Sequence, residues 1–249
     1  MIEVSQLVKK YGDFTALHGI SFSAKKGEII GLLGPNGAGK TTTMKILSAF
    51  MPSTSGTTKV AGFDVFDDPM EVKKRVGYLP ETPPLYTDFR VKEYLEFVAG
   101  IKHLAGSRLK ERYEFVIEHC GLRDRQQSVI NNLSKGFKQR VGIAQAIIHD
   151  PEVVILDEPT VGLDPVQIVE IRNLIKNLGS NHTVILSTHI LPEVTMTCNH
   201  VVMINRGKVL ADGSVESLTQ GKGESLEEAY LRIITQDAHV VETANKGDS

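Results

Sequence analysis

The chain has 249 residues, of which 41% are hydrophobic and 23% charged, with a formal net charge of −2. Those proportions match an ordinary soluble protein and give no general electrostatic reason to bind nucleic acid or an anionic membrane. No apolar run approaches the roughly 20 residues that cross a bilayer, and Cys120 and Cys198 lack the close spacing of a zinc or disulfide site, so both are expected as buried thiols.

The first residues, Met1-Ile2-Glu3-Val4, have neither a basic nor an apolar leader character, and no signal peptide is expected. Residues 2–7 alternate at period two and predict a strand. Tyr11 follows Lys9 and Lys10; such an aromatic can stack on a nucleotide base or simply pack. Gly12-Asp13 marks a turn, residues 17–23 alternate again, and Lys25-Lys26-Gly27-Glu28 turns the chain into an apolar strand over residues 28–33.

The next nine residues, Gly34-Pro35-Asn36-Gly37-Ala38-Gly39-Lys40-Thr41-Thr42, fit G-x-x-x-x-G-K-[ST], a phosphate-binding loop. The pattern lies between a strand and a helix predicted over residues 42–47, as the motif requires. Its glycines let the backbone wrap closely with N–H groups aimed inward, and the helix N-terminus adds partial positive charge. Lys40 is expected between the β- and γ-phosphates, the Thr41 hydroxyl on Mg²⁺ and the Thr42 hydroxyl near the α-phosphate.

Ser53-Thr54-Ser55-Gly56 then turns into a short strand over residues 57–62. Residues 72–79 lead to Pro80-Glu81-Thr82-Pro83-Pro84, a stiff connector read as a domain boundary. From about 91 to 148 the pattern is helical: Val91, Tyr94, Leu95 and Val98 share one face, Tyr113, Val116, Ile117 and Cys120 another, and Gly121 is a C-terminal cap. Residues 153–158, Val-Val-Ile-Leu-Asp-Glu, suit a parallel strand buried on both faces and ending in two acids. A helix over 166–178 comes next, then a strand over 183–189 that ends Ser187-Thr188-His189. Residues 201–210 read as a hairpin turning at Asn205-Arg206-Gly207, and residues 226–234 as a short amphipathic helix. The polar residues from 236 onward are expected to be disordered.

Phosphate loop, acid pair and Ser-Thr-His strand end make a set. In a P-loop hydrolase one acid holds Mg²⁺ and a second polarises the attacking water. Asp157 and Glu158 can divide those tasks, and His189 can contact the γ-phosphate; alone, the acids would read as an N-cap and a surface charge.

With these motifs the chain resembles the nucleotide-binding subunit of ATP-binding-cassette (ABC) transporters over roughly residues 1–215. Tyr11 matches the family's adenine-stacking aromatic, residues 34–42 its phosphate loop, and Leu133-Ser134-Lys135-Gly136-Phe137-Lys138-Gln139-Arg140 its signature segment. Asp157 and Glu158 match the magnesium acid and the catalytic glutamate, Gly162-Leu163-Asp164 the loop linking two subunits, and His189 the switch histidine. Two positions depart from the commonest pattern. Glu81 stands where Gln is usual; it can still ligate Mg²⁺ but donates no amide hydrogen. Lys135 and Phe137 stand where Gly and Gln are usual, while Ser134 and the Gly136 N–H remain. Both departures resemble the bacterial exporter branch of multidrug, gliding-motility and sodium-efflux type.

The resemblance implies a P-loop NTPase (RecA-like) α/β core with an N-terminal antiparallel β subdomain and an inserted α-helical subdomain. The nucleotide-binding domain would span 1–235, the helical insert 88–150 and a polar tail 236–249. It also implies an ATPase whose two copies, or paired cassettes, meet head to tail. Each ATP, with Mg²⁺ on Thr41, Glu81 and Asp157, would lie between one phosphate loop and the partner's Ser134 and Gly136. Lys40, Glu158 and His189 would carry hydrolysis. An integral membrane permease would be the partner, reached from the cytoplasmic face through the helical insert and residues 80–86, and nucleic acid would not. A soluble cassette regulating the ribosome remains the alternative. A P-loop kinase or GTPase leaves the signature segment unexplained.

Overall fold

The computed structural model describes residues 1–219 and 223–247, with residues 237–247 described by backbone alone. Strands β1 (Ile2–Tyr11) and β2 (Phe14–Ala24) form an antiparallel hairpin turning at Gly12, where φ is +58°. β3 (Ile29–Leu33) leads through the glycine-rich loop into α1 (Lys40–Leu47). The helix starts at Lys40, two residues earlier than expected, because left-handed Gly39 (φ +107°) is its N-cap inside the loop. β4 (Ser55–Val60) ends at the left-handed pair Ala61 and Gly62, short of the expected end at 62. β5 (Phe63–Asp64), α2 (Pro69–Arg75) and β6 (Val76–Leu79) come next. Helices α3 (Val91–Ile101), α4 (Gly106–His119) and α5 (Lys135–Ile147) occupy the predicted helical stretch. The rest is β7 (Val153–Asp157), α6 (Pro165–Leu178), β8 (Thr183–Thr188), α7 (Leu191–Thr197), the hairpin β9 (His200–Asn205) and β10 (Lys208–Ser214), α8 (Val215–Leu218) and α9 (Leu226–Gly247).

The sequence pattern does not declare α2 or α7. Each has seven residues, barely two turns, too short for a 3.6-residue period to show itself, although each carries Pro near its first position. The expected disordered tail from residue 236 is corrected as far as Gly247: α9 continues past 234, and no Gly or Pro interrupts residues 226–246. Residues 248 and 249 of that tail lie outside the described residues.

Two sheets organise the α/β fold. The N-terminal sheet has the order β2-β1-β4-β5 and is antiparallel. The central sheet has the order β10-β9-β3-β8-β7-β6, with β9, β3, β8, β7 and β6 parallel and β10 antiparallel at one edge. Successive central-strand residues feed opposite faces. Val154, Leu156, Val184 and Leu186 join the cluster that includes the helical stretch and α6. Val153, Ile155, Ile185, Ile30 and Leu32 join the cluster under the N-terminal sheet and α1. Burial on both faces, at about 1.5–3 kcal/mol per large aliphatic side chain, explains why these strands are continuous apolar runs. Cys120 and Cys198 are buried free thiols, and burial raises both above the ordinary thiol range, Cys120 to about 12. Among the described residues no helix is long and apolar enough to cross a membrane.

Candidate nucleotide site

Parallel strands β3, β8, β7 and β6 all end at one edge of the central sheet, so the segments that leave their C-terminal ends converge. Behind β3 comes the glycine loop. Gly34 has no space for a side chain: a Cβ there would lie 2.1 Å from the Ile204 carbonyl oxygen. Gly37 and Gly39 take φ of +78° and +107°, which few other residues tolerate. Lys40 is 5% exposed. Its ammonium donates to the carbonyl oxygens of Gly34 (2.8 Å) and Pro35 (3.1 Å) and lies 3.2 Å from Glu158 Oε1, which matches its three donors.

Asp157 ends β7 and is 1% exposed. Its Oδ1 accepts from Ser187 Oγ at 2.5 Å and Thr41 Oγ1 at 3.2 Å, whereas Oδ2 is buried with no hydrogen-bond partner. Burial lifts its carboxyl above the usual carboxylate range; the Ser187 and Thr41 hydrogen bonds oppose that, and the charges of Glu158 and Glu81 add to it. An orphaned carboxylate oxygen beside a threonine hydroxyl fits a hard divalent cation such as Mg²⁺.

Glu158 comes directly after β7 with φ +48°, a left-handed conformation held by N–H donation to Ser187 O (3.2 Å) and Ser187 Oγ (3.0 Å). Its second carboxylate oxygen lies 2.9 Å from Nδ1 of His189, the residue just past β8. Glu158 therefore links the loop lysine to the histidine.

A cavity of about 450 Å³ joins Lys40, Glu158 and His189; Asp157 does not line it and adjoins it through the Thr41 hydroxyl. Its lining includes Tyr11, Asn36, Gly37, Ala38, Gly39, Lys40, Thr41, Thr42, Glu81, Glu158 and His189. Tyr11 is 45% exposed, its hydroxyl donates to Met51 Sδ at 3.2 Å, and the Lys9 ammonium lies 5.3 Å from its ring centre. Phe14, Ala16 and Val161 also line the cavity and carry no motif that would single them out in the sequence. Phe14, 66% exposed and three residues after Tyr11, offers a signal in its aromaticity alone.

Ser134 and Gly136 do not join this cavity. Ser134 is the N-cap of α5 and accepts from Phe137 N at 3.4 Å. With Gly136, Phe137, Arg140, Gln167 and Glu170 it lines a separate cavity of about 390 Å³. The Phe137 ring has the Arg125 and Arg140 guanidinium groups 5.2 and 5.9 Å from its centre, so the aromatic in place of Gln is held by cations. Lys135 lies over Gly162, where a Cβ would fall 2.1 Å from its ammonium.

A glycine loop entering a helix, with a buried lysine and strand-end carboxylates, defines a P-loop nucleoside-triphosphate hydrolase. The family profile described as ABC transporter matches residues 17–161. The linearmycin resistance ATP-binding protein LnrL of Bacillus subtilis (strain 168) is 36% identical over 250 residues, covering 96% of this chain and 80% of its own length. A solved structure of an ATP-binding subunit of an ABC transporter superposes with a TM-score of 0.85 at 31% identity, over 94% of this chain and 99% of that one. A dimeric structure of the bacterial ABC transporter cassette MJ0796 superposes with a TM-score of 0.78 at 25% identity, over 86% and 98%. The chain belongs to the ABC transporter family, and it is an ATP-binding, ATP-hydrolysing cassette of that family.

Proposed function

We propose that this cassette drives a membrane exporter, pairing head to tail with a second cassette and acting on separate integral membrane subunits at the cytoplasmic face. The observation that carries the reading is the division of the motifs between two cavities. Lys40, Glu158 and His189 share one, and Ser134 and Gly136 line the other. A single chain thus presents two half-sites, and pairing would complete each with the other's partner. The dimeric MJ0796 cassette and the resistance role named for LnrL support this reading.

Lys40, released from Glu158, would meet the β- and γ-phosphates, and the loop N–H groups would cradle them. Tyr11 would stack on the adenine. Thr41, Asp157 and Glu81 would hold Mg²⁺, which when bound offsets phosphate charge. Glu158 would orient or deprotonate water, and His189 would hold the γ-phosphate. The helix N-terminus behind Ser134 would stabilise the partner's nucleotide.

Purified Glu158→Gln protein should bind ATP, dimerise with it in sedimentation runs, and hydrolyse it about 100-fold or more slowly than wild type. Undiminished hydrolysis would refute the catalytic assignment. A monomer at saturating ATP would refute the paired site. Capture from cells should recover a polytopic membrane protein; recovery of ribosomes would overturn the exporter reading.

A further inference from the structure

Glu193, in the first turn of α7, is a carboxylate only 5% exposed and outside both cavities that hold the family motifs. Both of its oxygens accept hydroxyl hydrogen bonds. Thr160 Oγ1 donates to Oε1, and Thr188 Oγ1 donates to Oε2 at 2.7 Å. Thr160 lies two residues beyond Glu158, and Thr188 immediately precedes His189. Glu158 and His189 touch at 2.9 Å. The contacts therefore close a ring: Glu158, Thr160, Glu193, Thr188, His189 and back to Glu158.

That ring has something to hold. Glu158 is a non-glycine residue at φ +48°, a conformation that costs about 1 kcal/mol or more and persists only where its surroundings over-determine it. Burying a carboxylate is costly unless its oxygens are paired, and here they are paired with two segments that each carry a group of the nucleotide site. The Thr160 carbonyl oxygen also accepts from Leu163 N at 3.2 Å, which ties the ring to the loop at residues 162–164.

We infer that Glu193 is a positioning residue for ATP hydrolysis: by clamping Thr160 and Thr188 it keeps Glu158 left-handed and His189 against it. The inference rests on the reading of Glu158 and His189 as the hydrolytic pair. Glu193 does not line the cavity and acts only through Glu158 and His189, so its main effect falls on turnover.

The full chain carrying Glu193→Ala should lose about 10- to 100-fold in kcat, as a misplaced catalytic group does, with KM for ATP held within about twofold. Glu193→Gln, which keeps the shape and one acceptor oxygen, should recover most of that loss. In a His189→Ala background, adding Glu193→Ala should cost single-turnover hydrolysis less than it does in wild type, because part of its effect passes through His189 and residues acting as a unit are non-additive. A merely structural defect would lower both backgrounds by the same factor, and that result overturns the inference, as does an unchanged kcat or a loss confined to KM. Should Glu193→Ala fail to fold, Thr160→Val and Thr188→Val carry the test. Each should lower kcat at constant KM, and the pair should cost less than the product of the two; full multiplicativity or no effect overturns the inference. If Glu158→Gln is inactive while the Glu193 and Thr variants are normal, the inference alone fails. If Glu158→Gln is active, the underlying reading fails.

Discussion

Replacing Asp157 by Asn should stabilise the protein and remove its response to magnesium. Asp157 is 1% exposed, with Oδ1 taking the Ser187 and Thr41 hydroxyls and Oδ2 unpaired. Asn keeps the accepting oxygen at Oδ1 and exchanges a buried, partly unpaired charge for an unpaired amide. An unsatisfied buried polar group costs about 1–3 kcal/mol, and more when charged, so the net gain is on the order of 1 kcal/mol. For a chain of this size that is roughly 2–4 °C in Tm. The assay is thermal melting without nucleotide, with ATP and EDTA, and with ATP and MgCl₂. Wild type should gain from magnesium up to about 2.7 kcal/mol at a hundredfold excess over Kd, while Asp157→Asn should gain from ATP alone. A variant that melts below wild type without nucleotide refutes the burial cost, and one that keeps the full magnesium increment refutes the metal assignment.

Gly34→Ala should destabilise the loop by about 1–3 kcal/mol, because its Cβ would sit 2.1 Å from the Ile204 carbonyl oxygen; unchanged urea midpoints would count against that packing. His149 supplies the pH dependence. Burial, with Lys102 adding to it, depresses its pKa from 6.5 to about 4, while Nε2 lies 3.1 Å from the Val76 carbonyl oxygen. The unfolded chain takes up this proton first, so the contribution is complete above about pH 6.5 and is lost as pH falls towards 4, reaching about 3 kcal/mol. Denaturation of His149→Gln across pH 4–7 should show a flatter profile than wild type. Tyr11→Ala should weaken ATP binding by about 1 kcal/mol, roughly fivefold, in calorimetry at fixed magnesium; equal affinity would assign Tyr11 to packing against Met51.

The phosphate loop was legible because its requirement is local. Nine consecutive residues must turn a strand into a helix with little room for side chains, and the glycines are spelled out where they are needed. Glu158 and His189 could be placed at strand ends, since an apolar run that stops at a charge marks the edge of a buried sheet. Their mutual contact could not be placed, nor could the ion pair between Lys40 and Glu158, because parallel pairing of β7, β8 and β3 brings them together across long stretches of chain. Glu193 and Thr160 were invisible as functional residues for the same reason: nothing in Leu191-Pro192-Glu193 distinguishes a buried clamp from a solvated first-turn acid.

The sequence by itself therefore determined the α/β class, the loop and the identities of the polar groups, since periodicity and glycine placement act over a few residues. Only the tertiary structure decided the sheet order β10-β9-β3-β8-β7-β6, because strands apolar on both faces carry no alternation to say which neighbour each prefers. It also decided that Ser134 and Gly136 face a different cavity from Lys40. The cause is geometric: α5 packs with the helical stretch on one face of the sheet, and its N-terminal residues Ser134 and Gly136 line a cavity with Gln167 and Glu170 of α6.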